Sequence, residues 1–437
     1  MNFFVKYLES IQVIQLLLQK FSKLKKSAKG TSVANLFKQA LCFFFDGTSR
    51  HLVHFDHVAQ DEGYAAVIEN DPEQMASSHT MKRWFKAFGV FHNKTYQWVL
   101  RRLFLWRLKL KQPDLIILTI DTMVMNNDEA EKREGCDPTY KKVKGFQPLQ
   151  VIWEGKIVDA LFRRGKKHSN FGKEPARLLE ELVEFIRENY RRTVPIIVRL
   201  DGGFFDEHLF SVLDEMSVGF VATGKMLETI RKKVSRIRKK DWKTYDNGRQ
   251  EWSYAGFRYK CDKWEKDYRA LYTRPVYEGK QELLEFARPD NIILTNLEEG
   301  TDVWNVLSQA ERRHWSQDTV IIESHHQRGA DELPHRGLKE FGSEQLPFKN
   351  FAANRAYYYL MVISFFLFET FKEDGLKELL PVGTYATKVR RTIVDIAAKV
   401  VRGGRERILK VTESVMKRLR LDRILELISE SPPIPVT

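Results

Sequence analysis

The chain has 437 residues, too many for one ordinary domain and enough for about two to four with a sizeable core. Lys and Arg total 72 against 58 acidic residues, a formal net charge of +14 that favours a polyanionic partner, nucleic acid or an anionic membrane surface. Cys42, Cys136 and Cys261 lie far apart with no C-x-x-C spacing, which argues against a disulfide framework or a Cys-based zinc site and suits a reducing cytosol.

The N-terminal "MNFFVKYLESIQVIQLLLQKFSKLKK" spaces its apolar residues as an amphipathic helix does, and Lys6, Glu9, Gln12 and Gln15 interrupt any continuous apolar segment. Helical periodicity continues to about residue 110. Within it "NDPEQMASSHTMKRWFKAFG", residues 70–89, predicts two short helices at a turn, with Ser77 or Ser78 capping the second and Trp84, Phe85 and Phe88 on its apolar face. With Lys82, Arg83 and Lys86 on the other face, this is either a helix-turn-helix DNA reader or an amphipathic helix with a basic surface.

From Asp114 the pattern changes to strands. "DLIILTID" and "PIIVRLDGG" are continuous apolar runs, as suits strands covered on both faces, and each ends on a carboxylate, Asp121 and Asp201. Between them "FQPLQVIWEGKIVDALFRRG" predicts a hairpin turning at Glu154-Gly155-Lys156, and "EPARLLEELVEFIRENY" a helix. With a helix near Glu207 to Met216 and the strand "VGFVATG", the order is β-β-β-α-β-α-β, an α/β sheet with helical crossovers. Lys225 to about Ser324 predicts a mostly β insertion that opens on the basic run "IRKKVSRIRKK" and carries Trp242, Trp252 and Trp264. Helices resume with "RGADELPHRGLKEFG" and "FAANRAYYYLMVISFFLFETFK"; the apolar stretch from Ala356 to Phe368 falls short of the roughly 20 residues that span a bilayer and predicts a core helix, not a membrane anchor. From about Gly383 the chain is basic and predicted helical, including "KVRRTIVDIAAKVVRGGRERILKV".

If the two Asp-tipped strands are parallel neighbours, their carboxylates emerge at one sheet edge and repel unless a cation lies between them. Carboxylates holding Mg²⁺ in this way are the hard-ligand arrangement of nucleases and polymerases. A third carboxylate lies in "SHHQRGADELPHRGLKEFG", where His325, Arg328, Glu332 and Lys339 follow one another at near-multiples of a helical turn. A continuous helix would place them on one face, a metal-binding carboxylate flanked by groups that grip phosphates. Pro334 requires that this helix either kink there or start near Asp331 with the proline in its first turn.

Arg328, three residues, Glu332, six residues and Lys339, with His325 in place of a tyrosine, resemble the signature of DDE transposases of bacterial insertion sequences. The resemblance is to the group with a β-strand insertion in a ribonuclease-H-like core, and extends to "TIDTMVMNNDEAEKREG", "YKKVKGFQPL" and "RLDGGFFDEHLF". It implies an α/β fold: a ribonuclease-H-like mixed sheet with helices, a mostly β insertion, and helical N- and C-terminal regions. The regions would be a DNA-binding part at 1–110, core at 111–224 and 325–382, insertion at 225–324 and a basic C-terminal part at 383–437. It further implies that Asp121, Asp201 and Glu332 hold two Mg²⁺ or Mn²⁺ ions, and that His325, Arg328 and Lys339 bind DNA phosphates. The implied partners are duplex DNA, both element terminal inverted repeats and target, and a second copy in a synaptic complex, in a bacterial cytoplasm and on the nucleoid when DNA-bound. Trp242, Trp252 and Trp264 are candidates for stacking on an extruded base, with core packing as the alternative for each. The competing functions are a hydrolytic ribonuclease-H-like nuclease or resolvase, and a catalytically inactive DNA-binding derivative.

Overall fold

The computed structural model describes residues 1–25, 29–89, 92–130, 132–262, 264–276, 290–328, 333–403 and 406–435. The N-terminal region is helical, as the periodicity predicts, but its first amphipathic segment is two helices, α1 (Asn2–Ser10) and α2 (Val13–Phe21), broken at Gln12 with φ 57°. Next comes α3 (Val33–Asp46), which starts at Ser32, whose side chain accepts from Asn35 N, and stops at Gly47 with φ 63°. Residues 70–89 differ from the expected helix pair: a 3-10 turn, Pro72–Gln74, precedes α4 (Ser78–Ala87), which Ser77 caps. Trp84 and Phe85 of α4 pack on Phe37, Phe348 and Tyr357, whereas Lys82, Arg83 and Lys86 are exposed. The long α5 (His92–Lys111) then leads into the sheet.

That sheet has nine strands: β1 (Ile116–Thr122), β2 (Leu149–Trp153), β3 (Lys156–Leu161), β4 (Ile196–Leu200), β5 (Gly219–Thr223), β6 (Lys243–Asp246), β7 (Glu251–Tyr259), β8 (Tyr268–Pro275) and β9 (Asn291–Thr295). Their order is β3-β2-β1-β4-β5-β9-β8-β7-β6, with β1, β4 and β5 parallel and the remaining pairs antiparallel. The first five strands thus form the mixed sheet expected of a ribonuclease-H-like core. The hairpin β2–β3 turns where the sequence predicts, with Glu154 and Gly155 both at positive φ, the twist that tight hairpins favour. Crossover helices α6 (Glu174–Asn189) and α7 (Glu207–Glu215) bring β4 and β5 in parallel.

The apolar runs of β1 and β4 are buried on both faces because each face has its own core. Ile116, Leu118, Ile120, Ile196, Val198 and Leu200 join the large core built by the helices, while Ile197 joins Val221, Leu271, Ile293 and Trp315 on the other side. The insertion is not a separate unit: β9 pairs with β5, so its strands prolong the catalytic sheet. It is also less β-rich than predicted. It opens with α8 (Glu228–Val234), and after β9 come helices Asp302–Val306 and Gln309–Trp315 and then α9 (Asp318–Gln327).

Two further helices follow, α10 (Leu333–Phe341) and α11 (Phe351–Gly375). By length and composition α11 could cross a membrane, but 89% of its apolar window is buried inside the protein, where it touches α1, α3, α4 and β3. The C-terminal region departs from its helical expectation. After α12 (Ala386–Ile393), "AKVVRG" and "ERILKV" pair as a hairpin of β10 (Ala398–Gly403) and β11 (Glu406–Val411), before the terminal α13 (Leu421–Ser429). Val400, Val401, Ile408 and Val411 are β-branched and flank a Gly-Gly pair, and this preference overrides the helix-compatible Lys and Arg around them.

A buried ion network joins α1, α5 and α11. Arg107 donates to Asp374 through both terminal nitrogens (2.8 and 3.0 Å) and to Glu373 (2.9 Å), and the Tyr7 hydroxyl donates to Asp374 (2.7 Å). We expect Arg107→Leu, which strands Asp374 without its cation, to cost about 3–5 kcal/mol and lower Tm clearly. Arg423→Leu, which breaks a surface pair with Glu378, should leave Tm unchanged in the same melts.

Candidate active site

The parallel register pairs Ile120 with Leu200, so the next residues, Asp121 and Asp201, stand side by side at the carboxyl edge of the sheet. Both side chains are held by local backbone: Thr122 N donates to Asp121 Oδ1 (2.6 Å), and Gly203 N to Asp201 Oδ1 (2.8 Å). Burial pushes the Asp201 carboxyl above its ordinary range, and the charge of Asp121 pushes it further. The Gly203 amide and the Arg328 guanidinium pull it back. His335 Nδ1 lies 3.7 Å from Asp121 Oδ2.

Helix α9 is pinned across this face. Arg199, two residues before Asp201, donates from Nε to Ser324 Oγ (3.1 Å) and from Nη2 to Gln327 Oε1 (2.8 Å). His325 Nε2 lies 2.9 Å from Thr223 Oγ1 on β5. Burial, with help from His326 and Arg328, pushes the His325 ring down to about 3, so it is neutral at neutral pH and acts as a bridge between α9 and β5. At the end of α9 comes Arg328, whose charge reaches Asp201 and whose Nε is buried without a hydrogen-bond partner among the described residues.

Helix α9 is Asp318–Gln327 and α10 is Leu333–Phe341, and the choice between the two arrangements open to Pro334 falls on residues 329–332, outside the described residues. Glu332 and Asp331 lie outside the described residues. Two other carboxylates of this stretch are engaged elsewhere. Glu323 accepts from the Tyr245 hydroxyl, and Glu340 accepts from Thr387 N (3.1 Å). Lys339 Nζ donates to Glu344 Oε2 (2.7 Å). Among the described residues no group of three or more His, Cys, Asp or Glu is arranged to hold a metal.

The three tryptophans are dispersed. Trp264 packs on Phe205, Phe210 and Tyr268, Trp242 lies under the Arg274 guanidinium (4.2 Å), and Trp252 lies tilted against His326 (4.5 Å), two residues before Arg328. Of these, Trp252 is the one tied to the helix that approaches the carboxylates. His335 and Arg199 were not singled out in the sequence. His335 had a readable signal, since it falls three residues after Glu332, whereas the role of Arg199 depends on contacts more than a hundred residues away.

Asp121 and Asp201 are hard oxygen donors whose mutual repulsion already shows in the Asp201 shift, and this donor set fits a hard divalent cation. The folded Asp201 carboxyl binds its proton more tightly than the unfolded one does. Its contribution to stability is therefore full at low pH and is lost as pH rises through the raised value. In EDTA we expect Asp201→Asn to raise Tm near neutral pH, with the gain vanishing below ~3.9, where the carboxyl is protonated in both states. Mg²⁺ should raise the Tm of the native protein and leave that of the variant unmoved.

Comparison with known proteins gives this edge a family. Among curated proteins none matches the chain. Seven chains of solved structures match it, among them a cryo-EM structure of the piggyBac transposase synaptic complex with hairpin DNA, 12% identical with a TM-score of 0.44, covering 98% of this chain and 84% of that one. The family model described as transposase DDE domain group 1 matches residues 8–433, nearly the whole chain, and the protein belongs to the DDE transposase family.

Proposed function

We propose that the protein is a DNA transposase that cuts phosphodiesters at the ends of its element and joins the freed 3′-OH to target DNA, using Asp121, Asp201 and Glu332 as its carboxylate triad. The observation that carries this reading is the register of β1 and β4, which brings two buried-strand carboxylates to one edge. These two, with Glu332, would hold two Mg²⁺ or Mn²⁺ ions. When bound, such ions supply charge neutralisation and Lewis-acid polarisation at the phosphoryl oxygens.

The chain's own groups account for the placement of DNA. Arg328, whose charge reaches Asp201, offers a guanidinium to a phosphate next to the scissile bond. Lys339 is one exchange of partner away, from Glu344 to a phosphate. His325, neutral and bonded to Thr223, keeps α9 in place so that Arg328 arrives at the edge. Around the site the exposed cations of α8, which follows directly on β5, track backbone phosphates, as do those of α4, either as a groove reader or as a basic face. Of the three tryptophans Trp252, which packs against His326 of α9, is our candidate to stack on a base drawn out at the cut. Two copies of the chain would synapse the terminal inverted repeats of a bacterial insertion sequence.

Strand cleavage and joining on labelled terminal-repeat DNA test the triad. Glu332→Gln keeps size and removes the metal-holding charge, so cleavage should fall by about a thousandfold or more while end binding stays close to native. Glu340→Gln, whose carboxylate serves Thr387 N, should cut normally. The opposite pattern would move the third carboxylate to Glu340. Ca²⁺, which tolerates looser geometry, should support end binding without cleavage, and full cleavage in EDTA would remove the metal role altogether. Neutralising Arg231, Lys232 and Lys233 on α8 should flatten the log-log salt dependence of duplex binding by about 0.9 for each phosphate that is no longer neutralised, and an unchanged slope would make this a merely solvated face.

A further inference from the structure

A basic loop crosses the edge where the two carboxylates emerge. It runs over residues 164–173, Arg-Gly-Lys-Lys-His-Ser-Asn-Phe-Gly-Lys, between β3 and α6. Its centre, Ser169, touches both strand ends. The Ser169 hydroxyl lies 3.0 Å from Thr122 Oγ1, on the residue after Asp121. On the other side it presses on Gly203, two residues after Asp201: a Cβ at Gly203 would lie 2.8 Å from Ser169 Oγ and 2.9 Å from its Cβ. The second glycine of "LDGG" is therefore the space in which the loop sits.

The foot of the loop is fixed as well. Arg163, its side chain almost fully buried, donates from Nε to Gln147 O (2.9 Å) and from Nη1 to Ser169 O (3.4 Å), and pairs with Glu174 at 3.5 Å. Gly165 lies so close to the Asp137 and Gly145 carbonyls that a Cβ there would meet them at 2.2 and 2.3 Å. Lys167 is also spoken for, by Glu174. Lys166 and Lys173, by contrast, are exposed and have no carboxylate partner among the described residues. Between them the Phe171 ring is 38% exposed. A loop fastened at its centre and foot, with its free cations turned outward, is shaped to hold something anionic against the edge it crosses.

We infer that this loop is a clamp for the DNA strand being cut: Lys166 and Lys173 engage its phosphates, and Ser169 is a positioning residue that sets the clamp relative to Asp121 and Asp201. The inference rests on the transposase reading above and adds the element that aligns the strand with the carboxylates. A clamp of this kind acts on alignment more than on affinity, since two phosphate contacts are a small share of a duplex interface, whereas misplacing the reacting bond slows the reaction steeply.

The test uses the full chain, Mn²⁺ and a supercoiled plasmid of arbitrary sequence, with nicking followed against plasmid concentration. Lys166→Ala/Lys173→Ala should lower the rate at saturating plasmid about tenfold or more while the half-saturating concentration moves less than about twofold. Ser169→Ala, which removes the hydroxyl beside Thr122 Oγ1, should give a smaller loss of the same kind with a native-like Tm. Should it fail to fold, the lysine pair alone decides. Lys109→Ala/Arg192→Ala removes the same charge at the opposite edge of the sheet and should change neither quantity. Native nicking at saturation by the lysine-pair variant, or an equal loss in the opposite-edge variant, overturns the clamp. Asp201→Asn, assayed alongside, separates the two readings: if it too nicks at the native rate the carboxylate site is wrong, and if it is dead while the lysine-pair variant is unimpaired only the clamp falls.

Discussion

The parallel pairing of β1 with β4 is the constraint on which the rest of the molecule turns. Once Ile120 lies against Leu200, two carboxylates must leave the sheet side by side, and the fold has to tolerate their repulsion. It does so locally, with backbone amides donated to both carboxylates, and from across the site, with the charge of Arg328. A parallel pair also demands a long crossover and helices on both faces. The β2–β3 hairpin and α6 fill the crossover, and two separate apolar cores cover the faces.

Rigidity around that edge comes from parts of the chain far from it in sequence. The core helix α11 is surrounded by other elements and is tied to α5 and α1 through Arg107, Asp374 and Tyr7. Arg390, on α12, donates to the carbonyls of Phe44 and Phe45 at the end of α3 and to that of Phe341 at the end of α10. One guanidinium thus satisfies the open carbonyls of two helices and fixes α10, the helix that carries His335 to Asp121, against the N-terminal region. The N- and C-terminal segments are for this reason parts of the catalytic scaffold as well as carriers of basic surface.

What could be read from the sequence was whatever local pattern dictates. The two Asp-tipped strands, the turn at Glu154-Gly155 and the buried α11 follow from apolar runs, turn residues and length. The Arg328, Glu332 and Lys339 spacing led to the family that the family model independently matches. Non-local pairing was illegible. Nothing in "NIILTNL" says that it will lie against β5, and nothing in "AKVVRG" says that "ERILKV" will return to pair with it. Shared helical register is likewise silent on contacts: His325 and Lys339 fit one period with Arg328, and each meets a partner that the period does not name, Thr223 and Glu344. Periodicity states which residues could share a face; it does not state what each of them touches.

The insertion gains a purpose from where it leaves and re-enters the core. It departs after β5, next to Asp201 at the carboxyl edge, and returns as α9, which must cross the same face to deliver Arg328. By prolonging the sheet through β9, β8, β7 and β6 instead of folding apart, it builds a platform under α9 along its length. Arg269 of β8 donates to Asp318 (2.7 Å) in the first turn of α9 and to the Trp315 and Ser316 carbonyls just before it. Tyr245 of β6 donates to Glu323 midway, and Trp252 of β7 packs against His326 near the end. Arg199 and Thr223 hold the helix from the core side. Helix α9 is therefore gripped by inserted strands on one side and catalytic strands on the other. An insertion at any other strand end would leave its final helix without this second grip, which gives a physical reason for finding it between the second Asp and the signature that contains Glu332.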